Sequence, residues 1–455
     1  MILKKKVLAG LLILCFVFLP LTAFAESGDV KTLFADGTFP YAEALYKNNE
    51  IALEAKLTYE YRKDAQAALQ NAPQIGCRAA YVADPVSGKV FYEKNAHKRM
   101  YPASTTKILT ALLVLENCDP RDMVTVSKRA IDLMPSGYSN ANLKAGEQFS
   151  VYTMLQALLI PSGNEAANAL AEHVSGSVEA FAALCNERAK ALGCETLHFV
   201  NPNGVHDKRH FCSAYDLYLI AKECQKYKVF NEIVQTKSFT VPATEVYPAA
   251  DRHYNNTNQL LFEGSYYLPD CTGIKTGHTP QAGECLVASC SGDDLNLISV
   301  VLGGRILGST NERFSDSKKL LEFVYDNYAF KLIADKAVPL AKVSVRNAVA
   351  DQEMLDVVIR TDICCVAPNG ITPDNVHSEL NLAEDIKAPI RQNQVLGTVV
   401  YNVDGLVFET NIVASRDVEK KPFWLYNTLF ALGVLLIVLI ITLIMKKLKQ
   451  QRAGR

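Results

Sequence analysis

Residues 102–118 read Pro-Ala-Ser-Thr-Thr-Lys-Ile-Leu-Thr-Ala-Leu-Leu-Val-Leu-Glu-Asn-Cys. Ser104 and Lys107 stand three apart, a spacing that puts both on one face of a helix with adjacent side chains. A serine hydroxyl is a poor nucleophile until a base takes its proton. A lysine serves as that base only when desolvation or neighbouring positive charge depresses its pKa. The apolar run Ile108 to Leu115 directly after Lys107 buries such a helix and supplies the desolvation. Taken alone, the spacing also describes a helix cap followed by a surface lysine.

Working outward, Arg78 to Asp84 and Lys89 to Glu93 are short strand-like runs. Pro85-Val86-Ser87-Gly88 turns between them, so the segment predicts a β-hairpin. Helical patterns follow at Thr106 to Cys118, Val151 to Leu159, Glu165 to His173, Val178 to Leu192 and Ala214 to Cys224. Strands return near Thr272, at Glu284 to Ser289 and at Asn296 to Leu302, and Phe314 to Tyr328 reads as a helix. Strands at both ends with helices between them predict an α/β or α+β unit over residues 75–330 whose sheet is completed late in the chain. Residues 336–418 carry short β-rich runs at Val338 to Asn347, Met354 to Arg360, Val395 to Tyr401 and Leu406 to Ile412, which predicts a small β-rich domain. Residues 26–74 form a polar, Ala-rich lead-in with helical character from Tyr41 to Gln70.

Two more patterns carry chemistry. Pro161-Ser162-Gly163-Asn164 follows an apolar helix. Its serine is suited to relay a proton and its asparagine to hold a substrate amide, although alone it is a turn. Lys275-Thr276-Gly277-His278-Thr279 falls in a strand, where Lys275, Gly277 and Thr279 face one way. There the glycine leaves space for a substrate along the backbone, and Lys275 offers a cation near a substrate carboxylate. Asn201-Pro202-Asn203-Gly204, His210 and Asp216 read as turn architecture. Arg313 reads as a surface salt bridge more readily than as a carboxylate ligand.

Both ends address the chain to a membrane. Lys4, Lys5 and Lys6 precede an apolar stretch ending in Ala23-Phe24-Ala25, so residues 1–25 read as a signal peptide cleaved after Ala25. Residues 423–445 hold no charge, with Trp424 and Tyr426 at one edge and Lys446, Lys447 and Lys449 at the other. That length crosses a bilayer core of about 30 Å, and the basic tail, 446–455, belongs on the cytoplasmic side.

The chain has 455 residues, 47 basic and 48 acidic, for a formal net charge of -1. No strong single-sign field follows, which argues against nucleic acid as a partner. Twelve cysteines are scattered through it. With Cys15 in the leader, eleven remain, an odd count that leaves at least one thiol free or intermolecular. Cys194 and Cys212 are a candidate bridge, buried free thiols are the favoured reading, and Cys285 and Cys290 fall on opposite faces of one strand. No CxxC pair speaks for a structural zinc ribbon.

The joint order SxxK, SxN, KTG is far more specific than any member. With PASTTKILTALL, LLIPSGNEAANALAEH, FVNPNGVHDKRHFCSAYDL and CTGIKTGHTPQAGECLVAS, the chain resembles the low-molecular-mass penicillin-binding proteins, serine-type D-alanyl-D-alanine carboxypeptidases. The resemblance runs from about Gly76 to Leu321, and a β-rich domain with a membrane-seeking C-terminus fits the same architecture. It implies the β-lactamase-like α+β fold, an antiparallel sheet with a helical subdomain. It makes Ser104 the acyl-forming nucleophile, Lys107 its base, Ser162 the relay to the leaving group, Asn164 the orienter of the substrate amide and Lys275 a support of the proton network. Thr276, Gly277, His278 and Thr279 then meet the substrate, Thr276 and Thr279 at its carboxylate. The N–H groups of Ser104 and His278 form the oxyanion hole. The implied partners are peptidoglycan stem peptides, β-lactams as inhibitors and membrane lipid around the C-terminal helix. No metal and no organic cofactor is implied. Departures from the family pattern are Glu165 after the SxN element, Cys271-Thr272-Gly273 before Ile274, and a C-terminal helix apolar all round. A β-lactamase, a transpeptidase or endopeptidase on the same scaffold, and a non-catalytic wall-binding protein are the other readings.

Overall fold

The computed structural model describes residues 56–59, 72–249 and 251–453. The signal peptide and most of the lead-in lie outside the described residues. Contacts divide the described residues into two compact units, one containing residues 59, 72–249, 251–331 and 366–370, the other 56–58, 332–365 and 371–453.

The first unit is built on a five-stranded sheet of β1 (Ala79–Ala83), β2 (Val90–Lys94), β3 (Cys271–Thr279), β4 (Gly283–Gly292) and β5 (Leu295–Gly304). Its order is β2-β1-β5-β4-β3, antiparallel throughout. The hairpin opens the sheet and the three late strands complete it, as the sequence pattern predicts. Alternation along β5 sends Ile298, Val300 and Leu302 into one core and Leu297 and Val301 into another. The sheet is therefore covered on both faces. One face packs against α7 (Glu312–Asn327) through Phe314, Leu320, Leu321 and Val324. The other meets the helical layer, which includes α1 (Lys107–Asn117), α2 (Val151–Leu159), α3 (Asn164–Ser175), α4 (Val178–Ala191), α5 (Ala214–Cys224) and α6 (Lys228–Gln235). Cys285 and Cys290 join different cores, which follows from their odd separation on β4.

Local chemistry explains the helix starts. Ser150 and Ser177 accept from Thr153 and Ala180 N–H groups at the starts of α2 and α4. Ser213 opens α5 with a capping box, its Oγ accepting from Asp216 N (3.0 Å) while Asp216 Oδ2 accepts from Ser213 N (2.8 Å). Asp216 is thus a cap residue.

The second unit carries a sheet of β6 (Ala341–Ser344), β7 (Met354–Ile359), β8 (His377–Leu382), β9 (Val395–Val403) and β10 (Leu406–Ala414), in the order β6-β7-β10-β9-β8. A strand at Lys56–Tyr59 also pairs with β10, where the sequence suggests helical character. Pairing supplied by a distant strand overrides local propensity here. The chain then enters α8 (Phe423–Ala453), whose segment Asn427–Lys447 has mean hydropathy 3.0 and is long and apolar enough to cross a membrane.

Among the described residues eleven cysteines are unbridged, Cys194 and Cys212 included, and most of them are buried.

Candidate active site

Ser104 occupies a short 3-10 turn, Ala103–Thr106, that feeds α1. Ala103 has φ +50, and Gly204 approaches so closely that a Cβ there would lie 1.9 Å from the Ala103 carbonyl oxygen. Gly204 itself has φ +83, so glycine is required twice over at this position.

Lys107, the first residue of α1, is fully buried. Its Nζ donates to Ser104 Oγ (3.0 Å), Asn164 Oδ1 (2.7 Å) and the Asn203 carbonyl (2.8 Å). A neutral lysine amine keeps two N–H donors and gains a lone pair. Asn164 and Asn203 can hold those two donors, which leaves the lone pair to accept the Ser104 proton. Burial, then the charge of Lys275, pulls the Lys107 pKa well below its ordinary value, against a smaller opposing effect of Glu165. Asn203 was legible in the sequence only as a turn. Its contribution is a carbonyl, and the compact Asn-Pro-Asn-Gly turn was the only signal for it.

Ser162 sits at φ +66 just before α3, and among the described residues its buried Oγ has no hydrogen-bond partner. Asn164 begins α3, and Glu165 behind it clamps the facing loop. Glu165 Oε1 accepts from Ala141 N (2.7 Å) and Leu143 N (3.2 Å), while Asn164 N donates to Ser139 O (3.2 Å). Burial raises the Glu165 carboxyl above the usual range, opposed by these backbone bonds. The loop bearing Tyr138 and Ser139 is a wall of the cleft that sequence motifs do not announce.

The third wall is β3. A Cβ on Gly277 would lie 2.9 Å from Pro102 O and 3.0 Å from Ser104 N. The space expected for substrate beside this glycine is filled by the Ser104 turn, so the glycine lets strand and turn pack backbone to backbone. Lys275 is buried, with Nζ donating to Thr276 O (3.1 Å), and burial followed by Arg313 lowers its pKa to about 7. It lies behind the cleft and does not line it. Thr276, Gly277, His278 and Thr279 do line it, together with Ser104, Ser162, Thr257 and Arg313, around a cavity of about 490 Å³. Thr276 Oγ1 lies 2.5 Å from Thr257 Oγ1.

Arg313 corrects the surface-salt-bridge expectation. Its side chain is only 16% exposed and pairs at 2.7 Å with Glu284, which is 5% exposed. It also donates to the Gly277 carbonyl (3.2 Å), and its Nε has no partner among the described residues. Helix α7 brings it to the cleft from 36 residues beyond Gly277, a juxtaposition that only the fold creates. His278 Nδ1 lies 2.8 Å from Glu284 Oε1. His210 is buried, 2.8 Å from Thr106 Oγ1 through Nε2, and accepts the Val200 N–H at Nδ1. Burial lowers its pKa to about 3, so it is a neutral packing residue.

A serine hydrogen-bonded to a buried lysine, a second buried serine, and a polar cleft with an arginine at its edge define a serine acyl-transfer enzyme. The family model for D-alanyl-D-alanine carboxypeptidases matches residues 66–305, and that for the C-terminal domain of penicillin-binding protein 5 matches residues 329–420. The chain is 33% identical over 354 residues to D-alanyl-D-alanine carboxypeptidase DacF of Bacillus subtilis (strain 168), covering 76% of this chain and 87% of that one. Among solved structures, penicillin-binding protein 5 from Haemophilus influenzae matches with TM-score 0.58 and 29% identity, covering 76% of this chain and 99% of that one. The Streptomyces K15 DD-transpeptidase matches with TM-score 0.52 and 30% identity, over 56% of this chain and 99% of that one. The chain belongs to the D-alanyl-D-alanine carboxypeptidase family of serine peptidases, the low-molecular-mass penicillin-binding proteins. It is a serine-type carboxypeptidase of peptidoglycan stem peptides.

Proposed function

We propose that the chain removes the terminal D-Ala of a stem peptide through an ester on Ser104, with each surrounding group in a distinct role. Lys107 takes the Ser104 proton, and Oγ attacks the carbonyl carbon of the penultimate D-Ala. Backbone N–H groups of Ser104 and His278 hold the negative oxygen of the tetrahedral intermediate. The C–N bond to the terminal D-Ala breaks, and its amine leaves with a proton passed through Ser162. Water then attacks the ester, giving a shortened peptide and restoring Ser104. Asn164 and Asn203 orient Lys107, and the family resemblance gives Asn164 the further role of orienting the substrate amide. Lys275, on β3, adds to the effect of burial in lowering the Lys107 pKa. Thr276, Thr279 and Arg313 receive the substrate's terminal carboxylate.

The observation that carries this reading is the Lys107 amine, buried and 3.0 Å from Ser104 Oγ, with two of its bonds taken by fixed oxygens. The test is release of free D-Ala from a model stem peptide by the wild type and by Ser104→Ala. Loss of release in a folded variant supports the role. Release at the wild-type rate refutes it. Likeness to a DD-transpeptidase makes transfer of the acyl group to an amine the second reading, and product analysis with an added amine acceptor separates the two.

The proposal extends to placement. The signal at residues 1–25, cleaved after Ala25, delivers the chain across the membrane. The 423–445 helix then anchors it with the catalytic unit on the extracytoplasmic side and residues 446–455 in the cytoplasm.

A further inference from the structure

At the end of α1 remote from Lys107, three metal-binding side chains converge outside the catalytic cleft. Cys118 caps α1, Asp122 stands in the turn that follows, and His173 lies in the last turn of α3. One donor atom from each falls within 4.8 Å of the others. We infer that Cys118, Asp122 and His173 form a binding site for a divalent transition-metal ion of the zinc class, with water as a fourth ligand.

The donor set selects the ion. A thiolate and an imidazole favour zinc-like ions over magnesium or calcium, which prefer all-oxygen sites. The thiolate and carboxylate charges match those of a dication. Zinc-like ions hold ligands at about 2.0–2.3 Å, so tetrahedral donors lie about 3.5 Å apart. The three side chains therefore need to close by about an ångström from their widest separation, which rotation of the exposed Asp122 and His173 allows.

The surroundings leave the donors free. Among the described residues, neither the Cys118 thiol nor the His173 ring makes a hydrogen bond or ion pair. The Asp122 carboxylate is steadied at one oxygen by the Asp119 N–H (2.8 Å), the sort of outer contact that orients a ligand. The nearby cation Arg121 is engaged by Asp119 (2.7 Å), and Glu172, next to His173, is engaged by the Ser127 hydroxyl (2.6 Å).

The position gives the site a consequence. Helices α1 and α3 start at Lys107 and Asn164, which are joined by a 2.7 Å hydrogen bond. An ion shared by Cys118 and His173 ties the opposite ends of the same two helices. It acts as a staple behind the site and takes no part in bond making or breaking.

The test uses the full-length chain in detergent, stripped with a chelator and titrated with Co²⁺ as the probe. The expected result is one Co²⁺ per chain with a thiolate-to-cobalt charge-transfer band. The band disappears in Cys118→Ser, and binding weakens about tenfold or more in Asp122→Asn and His173→Ala. Penicillin acylation by these variants confirms that they fold, and both Asp122 and His173 are exposed, so their substitution spares the core. Absence of stoichiometric binding, a band that survives Cys118→Ser, or unchanged affinity in His173→Ala overturns the proposal. Should Cys118→Ser misfold, His173→Ala decides it.

Discussion

The first unit buries Lys107, Lys275, Asn164, Glu165 and the Glu147–Arg252 pair, whereas the described residues of the second bury Thr410 and the Tyr401 hydroxyl and no charged residue. Both units have apolar cores, and the sequence pattern predicts β structure in both. The second shows plain alternation: β9 turns Val399, Tyr401 and Val403 inward and exposes Asn402. The first spends stability on desolvated charge and on positive φ at Ala103 and Ser162. Buried polar groups without full pairing are costly. Their concentration around one cleft is a physical mark of a catalytic site.

The comparison breaks most visibly at Lys107. Lys107→Met keeps the bulk and removes the proposed base, so penicillin acylation measured by stopped flow is expected to fall by about 10²–10⁴-fold. A smaller loss would mean that another group takes the Ser104 proton. Arg313→Gln comes next. It removes a cation at the cleft wall, so KM for a stem peptide rises by about tenfold or more while kcat changes less. An equal fall in kcat would place Arg313 in the chemistry and not in carboxylate binding.

Lys275 gives a smaller, pH-dependent effect. Its positive charge helps to strip the proton from Lys107, so Lys275→Gln moves the ascending limb of the acylation pH profile to higher pH. The same residue predicts the sign of a stability change. Native Lys275 loses its proton at about 7, the ordinary value being 10.5. Between those values the unfolded chain binds the extra proton, so stability rises with pH across that window. Denaturant titrations of Lys275→Gln should show a flatter rise.

The smallest effect on catalysis belongs to the second unit. Leu355→Ala, at a fully buried position of β7, costs about 2–5 kcal/mol of that unit's stability and leaves acylation by the first unit unchanged. Calorimetry together with penicillin labelling checks both halves. Lost labelling would show that the units share more than a chain.

Much of this contrast is legible in the sequence because it is local. The apolar run behind Lys107 announces a buried helix, the Pro-Val-Ser-Gly turn announces the hairpin, and the apolar segment after Phe423 announces a membrane-length helix. What escapes is non-local or carried by the backbone. Asn203 acts through a carbonyl, which every residue type offers. Arg313 reaches the cleft only because α7 packs across β4 and β5 of the sheet whose edge strand is β3. Gly277 looks like room for a ligand until the Ser104 turn is brought against it. His377–Leu382 is a strand of largely exposed residues at a sheet edge, without the apolar alternation by which strands are recognised.

The central claim is that Ser104 is the nucleophile that Lys107 activates. It is tested most directly by incubating the full-length protein with penicillin, digesting it and locating the adduct by mass spectrometry. The predicted result is one covalent adduct per chain, on the peptide bearing Ser104, absent from folded Ser104→Ala. A folded wild-type protein that takes up no adduct, or carries it on Ser162 instead, would contradict the account.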